Sequence, residues 1–315
     1  MNVAMAARPV PSRRAHRLVG LSIAALVVAN GVAVYVVGSR VTPVTVDTAV
    51  ARFRALTQPA PGTNAVPDEH GAAPAAVVGV EGASAAAVVA AGPAASSAPA
   101  PSPTSAPAST SPGTAVPRFG VYVYATSGSE DVSVAGAHHT YPDQTTMTIA
   151  PGPCGLEVRW DVFEERWDRW TLCTTGHQIE LRQFETYHEF FGQVEHRTYD
   201  CAPGTDFRPE RSDPSTRTSG RCESGGAVVD LTTTVVAIEE VTVGGNAVPA
   251  VHVRVDEVLS GDTRGTRSSD SWYGLADGLL LRRTAVTEVD TESVFGSTHY
   301  SEELRLDLTS LEPRS

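Results

Sequence analysis

The chain has 315 residues, with 24 Arg and no Lys against 36 acids, for a formal charge of -12 at pH 7. Beyond residue 117 there are 17 Arg against 32 acids, an imbalance that excludes nucleic acid or an anionic lipid surface as the partner of that part. The length allows two domains, but the middle of the chain is too biased in composition to count as one, so the folded mass falls in roughly the last 200 residues.

Residues 1–17 carry Arg8, Arg13, Arg14 and Arg17 ahead of Leu18 to Val37, LVGLSIAALVVANGVAVYVV, a stretch without charge. A helix of about 20 such residues spans the hydrocarbon core of a bilayer, and the basic flank predicts that residues 1–17 stay in the cytoplasm. The reading is an uncleaved, single-pass signal-anchor with the C-terminal part outside the cell membrane. The competing reading is cleavage after Ser39, where Val37 and Ser39 make a poor small-residue site. No Cys follows the segment, which excludes a lipoprotein anchor.

Over 44–57, Val46, Val50, Phe53 and Leu56 recur at helical spacing behind a Thr and Asp start signal and predict a short juxtamembrane helix. Its Arg52 and Arg54 suit lipid headgroups, and the alternative is a fraying stub. Residues 58–117 are dominated by Ala, Pro, Ser, Gly and Val, a composition that buries too little apolar surface to order itself. The expectation is a disordered tether holding the exported domain away from the membrane.

From 118 to 312 the texture becomes short alternating segments separated by Gly, Pro, Ser and Asp clusters. Strands are predicted at 120–125, 132–134, 144–149, 155–161, 179–191, 228–243, 249–255, 278–289 and 300–308. Gly244, Gly245 and Asn246 read as a hairpin turn with positive φ. On the last strand Leu304, Leu306 and Leu308 alternate strictly.

Four cysteines, Cys154, Cys173, Cys201 and Cys222, lie in this part and outside the cell allow three disulfide connectivities. The favoured one joins Cys154 to Cys173 and Cys201 to Cys222. For the first bridge, a hairpin turning at Phe163-Glu164-Glu165-Arg166 sets Cys154 opposite Cys173 and Trp160 opposite Trp167. That register mismatches the apolar faces, and a shift by one residue matches them but moves the sulfurs off direct opposition. The cysteine spacings fit zinc poorly.

Chemistry is sparse. His138 and His139 point to opposite faces of a strand and do not converge on a metal, and a solvated turn is their expected setting. His188-Glu189 begins a zinc-protease motif, but Gly192 stands where its second His belongs. No nucleophile elbow or phosphate loop occurs, so neither a catalytic residue, a metal nor a cofactor is expected. Aromatic residues are the stronger signal: Tyr122, Tyr124, Trp160, Trp170, Phe190, Trp272 and Tyr273 are candidate ligand-binding residues if one concave sheet face gathers them, and core filling is the alternative.

Two resemblances add to this. The segments GVYVYATSGSEDVSVAG, HTYPDQTTMTIAPGPCGLEVRWDVFEERWDRWTLC and TYHEFFGQ, with VDTAVARFR beside the membrane, resemble a group of singly anchored membrane proteins of high-GC Gram-positive bacteria, uncharacterised in activity. The segments VTVGGNAVPAVHVRVDE, DSWYGLADGLLLRR and YSEELRLDLTSLEP are similar to the closing part of the lipoprotein-carrier-like half-barrel superfamily. That second likeness implies a curved antiparallel sheet wrapped round a helix or plug that holds a lipid. The expected fold is mainly β, a transmembrane helix and linker followed by a half-barrel-like sheet. The expected function is a non-enzymatic envelope protein binding a hydrophobic, lipid-like ligand or an envelope partner. The alternatives are a structural or regulatory sensor, and an enzyme acting on wall polymers through paired carboxylates.

Overall fold

The structure, a computed structural model, describes residues 41–58, 116–133, 136–175, 178–190, 192–208, 213–293 and 296–315. Leu18 to Val37 and most of the expected tether lie outside these residues, and no helix within them is long and apolar enough to cross a membrane. Helix α1 (Val46–Thr57) comes first, followed by β1 (Gly120–Val132), β2 (Ala137–Thr140), β3 (Gln144–Gly152), β4 (Gly155–Phe163), β5 (Arg166–Thr175), β6 (Gln178–Phe190) and β7 (Gln193–Cys201). Then come β8 (Asp206–Arg208), β9 (Arg217–Ser224), β10 (Ala227–Val243), β11 (Asn246–Gly261), β12 (Thr263–Gly274), β13 (Leu280–Ser293) and β14 (Gly296–Leu308).

The sheet is a closed barrel of 12 antiparallel strands. The wall runs β1, β3, β4, β5, β6, β7, β9, β10, β11, β12, β13 and β14, with β2 paired to the far half of β1 and β8 to β6. The half-barrel expectation is therefore corrected: β14 pairs with β1 along nine residues, from Tyr124 opposite Leu308 to Val132 opposite Tyr300. The cause is the length of β1. Its SGSED stretch resembles a turn in sequence, yet it stays extended, and Gly128 lets β14 approach closely: at φ +130° it leaves no room for a Cβ, which would lie 2.0 Å from the Glu303 carbonyl oxygen. Neither helix nor plug occupies the interior among the described residues. Leu304, Leu306 and Leu308 are all buried within it.

The hairpins follow simple chemistry. β10 and β11 meet at Gly244 and Gly245, both at positive φ. The β4–β5 hairpin takes the shifted register, with Leu156 opposite Leu172 and Val158 opposite Trp170, and a bulge at Asp161/Phe163 realigns its far end. Cys154 sits in the turn just outside this ladder and still reaches Cys173. The second disulfide, Cys201 to Cys222, lies on the weakest seam: β7 and β9 pair only at Asp200–Glu223 and Cys201–Cys222. Both bridges fit an oxidising compartment, and on the loop-entropy model each contributes roughly 3 kcal/mol.

Helix α1 is docked on the outside of the wall. Thr45 caps it, its Oγ1 accepting from the Thr48 amide at 3.2 Å, as an N-cap threonine does. Ala49, Val50 and Phe53 form one stripe packed on Val121 and Ala150, a small core separate from the barrel interior. Arg52 pairs with Asp161 at 3.3 Å and with Glu164, and Arg54 donates to the Ser315 carbonyl oxygen at 2.7 Å. Both arginines thus have partners within the barrel unit. Upstream, the Thr42 amide donates to Glu165 at 2.8 Å, the Glu164 amide donates to the Thr42 carbonyl oxygen at 2.8 Å, and Pro43 bridges to Phe163. The described residues of 41–58 and 116–315 thus form one compact unit, so both flanks of the expected tether belong to the barrel.

Candidate ligand-binding lumen

Alternation along every strand sends one set of side chains inward, and that set divides into two zones. At the end bearing the β3–β4 and β10–β11 turns the inward residues are apolar: Met147, Ile149, Leu156, Val158, Leu172, Ile179 and Leu280. With Trp170, Tyr273 and Arg283 they line an apolar pocket, which the buried Pro117 and Gly278 also border. Two further spaces lie deeper, and Trp170 and Arg283 line all three.

At the other end the inward residues are charged and buried. Arg166 follows the β4–β5 turn, and its guanidinium has Nη1 at 3.0 Å from Asp168, Nη2 at 2.9 Å from Glu302 and Nε at 3.2 Å from Glu130. Glu130 and Glu302 are directly opposite on β1 and β14. Tyr141 donates to Glu302 at 2.5 Å, Tyr300 to Glu130 at 3.1 Å, Thr287 to Glu302 at 3.2 Å, and His139 Nδ1 lies 2.9 Å from Glu130. Arg267 pairs with Glu257 at 3.5 Å and its Nε donates to Thr287 at 3.3 Å. Arg166 is 3% exposed and Glu130 1%, so solvent does not reach the pair and this end of the lumen is blocked.

The electrostatics follow from burial and partners. Burial pushes the Glu302 carboxyl up, but the Arg166 charge, the Tyr141 hydrogen bond and Arg267 outweigh it and hold the group below its ordinary value. Burial also opposes the charge of Arg166, and Asp168, Tyr300 and Glu302 outweigh that in turn. Burial raises the Tyr141 and Tyr300 hydroxyls well above their usual value, with Glu302 adding to it, so both remain donors. His188, opposite Arg166 across the β5–β6 pair, is held well below 6.5 by burial and by the charges of Arg166 and Arg267. Glu302 is thus ionised and His188 neutral, and neither offers a proton near neutrality. Among the described residues no group of three His, Cys, Asp or Glu is arranged to hold a metal.

The aromatic candidates separate into four groups. Trp170 and Tyr273 line the apolar pocket. Tyr122, Tyr124 and Trp160 are buried with their polar atoms engaged: the Tyr122 hydroxyl donates to the Arg118 carbonyl at 2.9 Å, that of Tyr124 to Leu280 at 2.7 Å, and Trp160 Nε1 to Thr145 at 2.9 Å. Burial pushes the Tyr122 hydroxyl up to about 12. Phe190 lies at the blocked end, stacked on His139 at 6.0 Å and His188 at 5.6 Å. Trp272 does not join them. It points to the opposite face of β12 from Tyr273, stacks on His252 at 4.2 Å and donates to Glu239 at 2.5 Å. His138 and His139 do diverge, but from strand β2: His138 is exposed beside Asp131 at 2.8 Å and His139 is buried.

Sequence reasoning missed the charged lining: Glu130, Arg166, Asp168, Glu257, Arg267, Arg283 and Glu302. One signal was available, since Glu302 shares the two-residue phase of Leu304, Leu306 and Leu308 and so points inward with them. No protein-family model matches the chain, and no curated protein or solved structure matches it either.

A pH dependence follows from His188. A histidine whose folded value is depressed binds a proton in the unfolded chain first, so stability is expected to fall as pH drops below about 6.5, by up to about 1.4 kcal/mol per pH unit. Urea denaturation between pH 7 and 5 is the measurement. His188→Gln is expected to flatten this part of the profile, and an unchanged slope would assign the dependence to other groups.

Proposed function

We propose that the protein is a non-catalytic envelope protein whose barrel holds a hydrophobic, lipid-like ligand. What supports this is the hydrocarbon-lined pocket that Ile149, Leu156, Val158, Leu172 and Leu280 form beside Trp170. A concave apolar site with few convergent polar groups is the usual form of a small-molecule pocket. The buried carboxylates favour this over polymer hydrolysis, because Glu130, Asp168 and Glu302 all pair with Arg166 and glycoside cleavage needs one protonated carboxyl beside one ionised. Native mass spectrometry of the full chain taken from membranes is expected to show an adduct of lipid mass. Val158→Trp, which fills the opening, is expected to remove it at about 1–3 kcal/mol of stability. An unaltered protein with no adduct, behaving like the filled variant, would contradict the reading.

With Leu18 to Val37 as a membrane anchor, the barrel sits against the membrane rather than at a distance. Thr42 lies on the β4–β5 turn at the blocked end, and the few residues between Val37 and Thr42 reach at most about 18 Å. The apolar end of the lumen then faces away from the bilayer. A photoprobe carried on lipid headgroups is expected to label Glu164 and Glu165 and to spare the Gly244–Gly245 turn. The reverse pattern would contradict this orientation.

A further inference from the structure

Among the described residues, Arg166, Arg267 and Arg283 meet within the lumen, and two of them have counter-charges: Arg166 binds Glu130, Asp168 and Glu302, and Arg267 binds Glu257. Arg283 has none. It projects inward from β13, between Ser271 of β12 and Leu306 of β14. Its guanidinium lies over Trp170, 5.8 Å from the ring centroid. Its side chain makes no ion pair or hydrogen bond with any described residue, and its Nε is buried without a partner. In a domain where acids outnumber arginines this is unusual, and the acids that share its space, Asp168, Glu302 and Glu257, already bind the other two arginines.

An unpaired cation in a largely apolar space is costly unless an anion reaches it. Arg283 stands where the hydrocarbon-lined opening meets the deeper spaces, so an anion bound there would have its chain lying outward along Ile149, Leu156, Val158 and Leu280. A guanidinium presents parallel N–H groups that match a carboxylate in two-point contact. The Trp170 face lies beside this cation at a distance where ring and charge attract. We propose that the lumen takes an anionic amphiphile, a single alkyl chain ending in a carboxylate, with the carboxylate on Arg283 and the chain toward the opening. This rests on the lipid-like ligand argued above and adds the head group and its direction.

The test uses the full chain in phosphatidylcholine bilayers, photolysed with dodecanoate carrying a diazirine at the chain terminus, and with the alcohol and the amine of the same length. Labelled peptides are mapped, and half-saturating concentrations are compared with those of Arg283→Gln in the same bilayers, which cancels partitioning into lipid. The expected result is labelling of β3 and β4 by the acid at a concentration at least tenfold lower than by the alcohol or amine. Arg283→Gln is expected to erase that preference and Arg283→Lys to keep part of it. Because Arg283 has no ion pair to lose, only its contact with Trp170, the Gln variant is expected to melt close to the unaltered protein, which separates loss of recognition from loss of fold. Equal labelling by acid and alcohol in the unaltered protein would overturn the role of Arg283 and leave a lumen that binds chains without reading their heads. No labelling of lumen peptides by any of the three would overturn the ligand reading as well.

Discussion

The interior of this barrel depends on the contact of Arg166 with Glu130, Asp168 and Glu302. These groups come from β5, β1 and β14, and β1 and β14 are the strands whose pairing closes the sheet. A buried acid without its partner costs several kcal/mol, so closing the barrel and forming this cluster require each other. The cluster is also what makes the lumen one-sided. With the charged residues and Phe190 filling the end near the β4–β5 turn, the remaining space opens at the apolar end.

The wall is correspondingly uneven. The β10–β11 ladder is long, whereas β7 and β9 share only two residue pairs. A covalent bridge stands at that seam. Two strands that scarcely pair would otherwise part easily, because a backbone edge exposed to water loses its ladder with little resistance from packing. The outside of the wall is likewise used selectively. Helix α1 covers Val121 and Ala150, which would otherwise be an apolar patch, and its Arg52 joins Arg159 in pairing with the buried Asp161.

Much of this was legible in the chain. The disulfide pairing is the favoured one of the three possible, although its hairpin register is off by one residue; the Gly244–Gly245 turn followed from its composition, and many strands from two-residue alternation. Three things were hidden, each for a physical reason. Closure depends on β1 continuing through Gly128, and a glycine flanked by serines signals a turn unless the partner strand is known. The docking of α1 is a long-range contact between residue 53 and residues 121 and 150, which local periodicity does not encode. The charged lining is hidden because acids and arginines in an acidic β domain are expected at the solvated face. Only their phase against the leucines of β14 distinguishes inward from outward, and on β5 the register was itself uncertain by one residue. The same ambiguity grouped Trp272 with Tyr273, although neighbours on a strand face opposite ways.

The central claim is that the lumen is blocked at the Arg166 end, open at the apolar end and occupied by a chain entering from there. Crystals of the protein grown with 12-bromododecanoate, with the bromine located by its anomalous scattering, test it most directly. The account places bromine among Ile149, Leu156 and Leu280, with carboxylate density at Arg283. Bromine on the outer wall, or beyond Arg166 at the other end, would contradict it.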